Sequence, residues 1–352
     1  MALQLSLNER YQQILKATVR HYIATVEPVG SKTLAQEYDF SVSSATIRNA
    51  LGRLEKAGLL YQPHPSAGRI PSDRGYRIYV DQLITPDETI GPQIEKIFDQ
   101  QLQRDTWSFE AILQRAAQIL ATLSGYIALI TLPQTANQIR HLQLVPVSAD
   151  QVMLIIVTDA YQTHSLLINF PSSDDDEQVV EGELQILSNF LNSKLRGRTL
   201  AELVTLDWVE LDREFERYAD FLKTLLTELS LRLQPASSTP ILIQGISTAL
   251  HQPEFSQLEQ VQMLLHLLEV EQEQLLPLIF DLPESSASRV KITIGAENPL
   301  ESMRPCTLVS CTYRQGEVPV GSVGIIGPTR MLYESAIPLV ETTADYLSEA
   351  FS

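Results

Sequence analysis

Ser43 to Leu60 reads SSATIRNALGRLEKAGLL, and the N-terminal fold turns on how the faces of this stretch divide. Ser43 is a good N-cap. Gly58 is the expected C-terminal stop of the helix between them. At 100° per residue, Ile47, Ala50, Leu51 and Leu54 share one side and should pack inward. Ala45, Arg48, Asn49, Gly52 and Lys56 fall on the other side. Arginine suits guanine edges, asparagine suits adenine edges, and small residues allow close approach to a groove. A solvated helix face fits the same residues, so the neighbouring sequence has to decide.

Upstream, Ser6-Leu7-Asn8-Glu9 reads as a capping box. Apolar residues from Ile14 to Ile23 then recur at helical spacing up to about Thr25. Glu27-Pro28-Val29-Gly30 breaks this helix, and Ser31 caps a short second one over Lys32 to Tyr38. Asp39-Phe40-Ser41-Val42 turns the chain into the third. Two short helices joined by a tight turn make a helix-turn-helix. Downstream, Leu59-Leu60-Tyr61-Gln62 can form a strand. The loop His64 to Arg77, HPSAGRIPSDRGYR, follows with three arginines, two prolines and two glycines. A hairpin after a helix-turn-helix makes a winged helix, with this loop as the wing. Pro65 and Pro71 stiffen it, Gly68 permits close backbone approach, and Arg69 is expected near its tip. An arginine there can hold phosphate or enter a minor groove.

Charge supports this reading. The whole chain of 352 residues carries a formal charge of -17. Residues 1–80 nevertheless hold ten Lys/Arg against six Asp/Glu, while the remainder holds sixteen against thirty-seven. A basic module on an acidic body suits a nucleic-acid partner met through one face. The length allows two or three domains. No apolar run approaches the ~20 residues of a membrane span, and MALQLSLNER lacks the pattern of a signal peptide. With only two cysteines, a cytoplasmic setting is expected.

The two blocks SSATIRNALGRLEKAGLL and HPSAGRIPSDRGYRIYVD, in that order and ungapped, resemble the HrcA family of heat-inducible transcription repressors. The resemblance extends through STALHQPEF at 247–255 and VGSVGIIGPTRMLYESAI at 320–337. It implies an α+β protein with an N-terminal winged helix-turn-helix over 1–81. Residues 82–105, with Pro86, Gly91, Pro92 and several acids, read as a linker with a helical part, and the resemblance implies a GAF-like domain in two parts, 106–174 and 286–352, after it. A mostly helical dimerisation domain would be inserted at 175–285. It also implies repression of chaperone operons through an inverted-repeat operator, CIRCE, by a homodimer released on heat stress, with the chaperonin GroEL as a partner. In that setting Arg48 and Asn49 are the candidates for base contact. Ser44, Ala45, Thr46, Arg53, Lys56, Ser66, Gly68, Arg69, Arg74 and Arg77 complete the expected DNA-binding set, mostly on phosphate.

Strand signals stand at Tyr126–Leu132, Ile139–Pro146, Gln151–Thr158, Gln162–Asn169, Ile241–Gln244, Arg289–Ile294, Cys306–Arg314 and Val318–Ile326. They suggest one mixed sheet interrupted by helices, with a last helix running to about Phe351. Cys306 and Cys311 are five apart on one strand, hence on opposite faces. Gly321, Gly324 and Gly327 fit close sheet packing better than a dinucleotide loop. His266, in an apolar helix, reads as a core or interface residue. No nucleophile has a credible base, so no enzyme activity, cofactor or metal is expected. A protein-interaction module and a small-molecule sensor are the alternative readings.

Overall fold

The computed structural model describes residues 7–87, 89–102, 109–133, 138–148, 151–158, 163–169, 177–198, 221, 224–225, 241–280 and 289–351. The chain is a mixed α/β protein whose contacts divide it into two compact units. The first is Met1–Gln103, Arg115–Ile130 and Leu242–Ser352; the second is Arg104–Gln114 and Thr131–Ile241.

The first unit begins with α1 (Glu9–Thr25), α2 (Ser31–Glu37) and α3 (Ser44–Lys56). Their apolar stripes meet: Ile14, Leu15, Val19, Leu34, Ile47, Leu51 and Leu54 are all buried. The side chain of Asn8 caps α1 by accepting from Tyr11 N–H at 3.1 Å; Ser6, which opens the expected capping box, lies outside the described residues. Gly30, one residue before the expected Ser31, takes the cap position of α2. A two-stranded ribbon follows, β1 (Leu60–Tyr61) against β2 (Ile70–Pro71), antiparallel. Ser72 then caps α4 (Asp73–Ile78), which runs on as a wider turn to Leu83.

Residues 82–105 hold the helical part expected within the linker. They contain α5 (Ile90–Gln101), whose Ile94 and Phe98 are buried. Phe98 stacks on Tyr346 with ring centroids 4.8 Å apart, so apolar burial turns the expected spacer into a docked helix. Next come α6 (Phe109–Ser124) and β3 (Ile127–Thr131).

Then the chain enters the second unit. Strands β4 (Ile139–Ser148), β5 (Gln151–Thr158) and β6 (Thr163–Asn169) form an antiparallel sheet of their own. Leu142, Leu144, Val152, Leu154, Ile156, Leu166 and Ile168 line its buried face, against Leu184, Leu187, Leu191 and Leu195 of α7 (Glu177–Leu195). α7 also closes the edge of β4. Leu142 N–H donates to Asn192 Oδ1 and Leu144 N–H to Ser188 Oγ, both at 2.9 Å. Side chains one turn apart thus satisfy main-chain donors that a free edge leaves open.

The expectation of one sheet is therefore corrected to two. Burial explains it. The buried residues of β4 and β5 alternate with more exposed ones, as in a sheet covered on one face, while β3, β9 and β10 are buried nearly throughout. The five-stranded sheet belongs to the first unit in the order β7 (Ile241–Gln244), β3, β10 (Val318–Pro328), β9 (Cys306–Gln315), β8 (Val290–Ile294). The segment expected to be inserted at 175–285 does not stay together either, because residues 242–280 pack with the first unit. They include α8 (Leu258–Glu269), where His266 is exposed beside Glu271 and not in the core. The acidic run 174–176, the turn residues 149–150 and 159–161, and most of 214–233, where the sequence has apolar helical periodicity, lie outside the described residues. Last, α9 (Tyr333–Ala350) packs along β9 and β10. Gly321 and Gly327 sit where a Cβ would collide with the rings of Tyr313 and Tyr126, which is the close packing expected for them.

Candidate nucleic-acid interface

α3 is set by its ends and its stripe. Ser43 Oγ accepts from Thr46 N–H at 3.3 Å, and Gly58 takes φ +71 just past the helix, where glycine carries no Cβ penalty. With Ile47, Ala50, Leu51 and Leu54 buried, the helix cannot rotate without exposing them. Ala45, Arg48, Asn49 and Lys56 are consequently held outward and exposed. Arg48 and Lys56 make no ion pair among the described residues. Ser44 is half-buried at the helix start. The Thr46 hydroxyl lies 3.1 Å from Ser43 Oγ and so shares in the cap. Arg53 donates from Nη1 to Tyr11 Oη at 2.9 Å, tying α3 to α1.

The ribbon beside α3 has a built loop. Gln62 Nε2 donates to the carbonyls of Pro65 and Ala67, at 2.9 and 2.8 Å, and Ala67 N–H donates to His64 O at 2.9 Å. Gln62 is the organising side chain that motif reading missed; its only signal was an amide directly before a Pro-rich turn. His64 and Ser66 are exposed in this loop.

Three expected site residues have other duties. Gly68 lies against the loop after α1, where a Cβ would sit 2.5 Å from Pro28 O and Val29 C. Arg69 stands at the base of the loop, directly before β2, and not at its tip. Its main chain bridges Val29, and its guanidinium pairs with Glu55 of α3 at 2.9 Å. Arg77 points to the body of the first unit. Its guanidinium reaches Glu297 at 2.5 Å, Asp81 at 3.1 Å and the carbonyl of Ile292 at 2.6 Å. Those acids raise the Arg77 pKa against the opposing effect of burial, so the charge is permanent and internally matched. Arg74 is exposed with no ion pair among the described residues. The first unit is cross-linked elsewhere too: Arg20 and Tyr79 both reach Glu334, and Arg330 pairs with Glu254.

Among the described residues no three His, Cys, Asp or Glu side chains gather as a metal set. No described helix is long and apolar enough to cross a membrane. What the first unit does present is one capped helix, buried on one side and basic with small residues on the other, beside a short ribbon. Side chains of these types on one outward helix face can meet base edges and phosphate.

Comparison with known proteins gives the particular family. Residues 110–337 match the model described as HrcA protein C terminal domain. A protein of Cyanothece sp. is 59% identical, covering 99% of this chain and 98% of its own length. One of Trichormus variabilis is 58% identical, covering 99% and 100%. Both are named heat-inducible transcription repressor HrcA. A crystal structure of a hypothetical protein, 27% identical, superposes with a TM-score of 0.66 over 98% of this chain and 99% of that one. The chain belongs to the HrcA family.

Proposed function

We propose that this protein is a DNA-binding transcription repressor of heat-shock chaperone operons, and that α3 is its reading helix. The observation that carries the reading is the outward face of α3. Ala45, Arg48, Asn49 and Lys56 are exposed there because the opposite stripe is locked in the core. Membership of a family whose relatives are named repressors supports it.

In this reading α1 to α3 with the β1–β2 ribbon act as a winged helix. α3 enters a major groove and the loop around Ser66 lies on the flanking backbone. Arg48 and Asn49 contact base edges. Ser44, Thr46, Arg53, Lys56 and Arg74 serve phosphate. The five-stranded sheet with α9 stands for the GAF-like domain that the family resemblance implies. The dimerisation domain that the resemblance sets at 175–285 is in this reading drawn instead from α7 together with the three-stranded sheet it packs on. A homodimer would match the two-fold symmetry of an inverted-repeat operator, CIRCE, and the chaperonin GroEL would maintain the active form. The setting is cytoplasmic.

Anisotropy titration of the purified protein on an inverted-repeat operator duplex and on a scrambled duplex of equal length tests the reading. Specific readers separate the two by roughly 10³-fold or more. Equal affinity for both would overturn it.

A further inference from the structure

Arg69 is held on three sides. Its N–H donates to Val29 O and its carbonyl accepts from Val29 N–H, each at 2.9 Å. Its Nε and Nη2 both lie 2.9 Å from Oε2 of Glu55. The residue before it, Gly68, presses on Pro28 and Val29 so closely that no side chain fits. Glu55 stands two turns along α3 from Arg48, on the seam between the buried stripe and the outward face. Arg69 therefore joins the three parts whose mutual angle sets how the module meets a duplex: the loop after α1, helix α3 and strand β2. The pair is partly shielded, with side-chain exposures of 21% for Arg69 and 34% for Glu55.

We propose that Arg69 is a positioning residue for DNA reading and not a phosphate contact: its pair with Glu55 fixes the ribbon against α3. The proposal rests on the reading role of α3 given above. The charge balance of α3 agrees with it. A carboxylate so near the reading face would repel DNA phosphate if left alone, and Arg69 neutralises it in place. The planar guanidinium matters, because two of its donors converge on one oxygen while its own backbone is pinned. A lysine keeps the charge but loses that fork.

Glu55 makes the two roles separable. A phosphate-binding Arg69 would be hindered by Glu55, so Glu55→Gln would release it and sharpen binding. A positioning Arg69 needs Glu55, so the same change would blunt discrimination.

Binding of wild type, Arg69→Lys, Glu55→Gln, the double variant of these two, and the charge-balanced pair Arg69→Ala with Glu55→Gln is measured on operator and scrambled duplexes over a salt series. The ratio of the two affinities cancels any loss of folded protein, since both duplexes meet the same sample. Each single variant is expected to lower that ratio about fivefold, the double no further than either single, as for one shared interaction. The slope of log affinity against log salt should stay at its wild-type value in Arg69→Lys and in the charge-balanced pair Arg69→Ala with Glu55→Gln, which leaves no unpaired carboxylate behind. Two results overturn the proposal: a wild-type ratio in Arg69→Lys, or a slope shallower by about 0.9 in the charge-balanced pair Arg69→Ala with Glu55→Gln, the signature of one lost phosphate contact. If the wild type itself fails to distinguish the duplexes, the reading role of α3 falls first and this proposal with it.

Discussion

The carboxylate of Asp73 occupies the space that a Cβ on residue 295 would need. Gly295, at φ +54, leaves that space open, and Asp73 Oδ2 accepts from the next N–H, Ala296, at 2.8 Å. The first residue of α4 is thereby docked on the turn after β8. Four residues on, Arg77 returns to Glu297 of the same turn. Gly295→Ala combines left-handed strain with a collision, and it should destabilise the protein by about 2–4 kcal/mol. Gly316, at φ +60 with nothing within 4 Å of its Cβ position, supplies the comparison. Gly316→Ala should cost only about 1 kcal/mol. Urea unfolding of the two variants checks the difference, and equal losses would contradict the docking role of Gly295.

Val26 ends α1 at φ +61, the one non-glycine residue with positive φ among those described. A β-branched side chain is costly there. Val26→Gly should therefore raise stability by about 1 kcal/mol, net of the extra freedom of glycine in the unfolded chain. The rise should appear in the urea midpoint with an unchanged m-value. A fall would show that the half-buried Val26 side chain contributes more by packing than it costs in strain.

Asn49 and Lys56 share the outward face of α3 but should behave differently. Asn49→Ala should reduce the preference for the operator over a scrambled duplex by about 1–3 kcal/mol. Lys56→Ala should weaken both duplexes alike and flatten the salt dependence by about one unit. Titrations of both variants on both duplexes, at several salt concentrations, distinguish base reading from phosphate contact. An unchanged preference in Asn49→Ala would remove it from the base-reading set.

Burial pushes the Cys306 thiol up to about 12 and the Cys311 thiol up to about 11. Unfolded cysteine titrates near 8.5. The folded state therefore keeps protons that the unfolded state loses. The stabilisation is complete below about pH 8.5 and declines as pH rises through the folded values. By pH 10 the loss should be on the order of 1–2 kcal/mol per thiol. The unfolding free energy from urea titrations should fall between pH 8 and pH 10 by roughly that amount for each thiol, and by less in a Cys306→Ala, Cys311→Ala variant. An equal fall in both proteins would assign the alkaline loss to other groups.

Much of this was legible in the sequence. The third helix, its cap at Ser43, its stop at Gly58 and its buried stripe follow from local periodicity and local hydrogen bonds, which every stretch of chain carries in itself. The eight strands were legible for the same reason. The split into two sheets was not legible there: β5 is apolar at every position from Val152 to Val157, while β9 carries Thr307, Ser310 and Thr312 among its apolar residues, so only burial in the folded chain separates a sheet covered on one face from one covered on both.

Tertiary structure decided where the charges went. Arg69 and Arg77 belong to the same basic loop, and their composition gives no sign that they differ from Arg74. One finds its acid 14 positions away on α3, the other 220 positions away beyond β8. A side chain's pattern fixes which way it faces, but its partner is set by whatever distant segment the fold brings within about 4 Å. The segment at 90–101 shows the same limit in apolar form: its helix was visible in sequence, while its burial required the ring of Tyr346 across from Phe98.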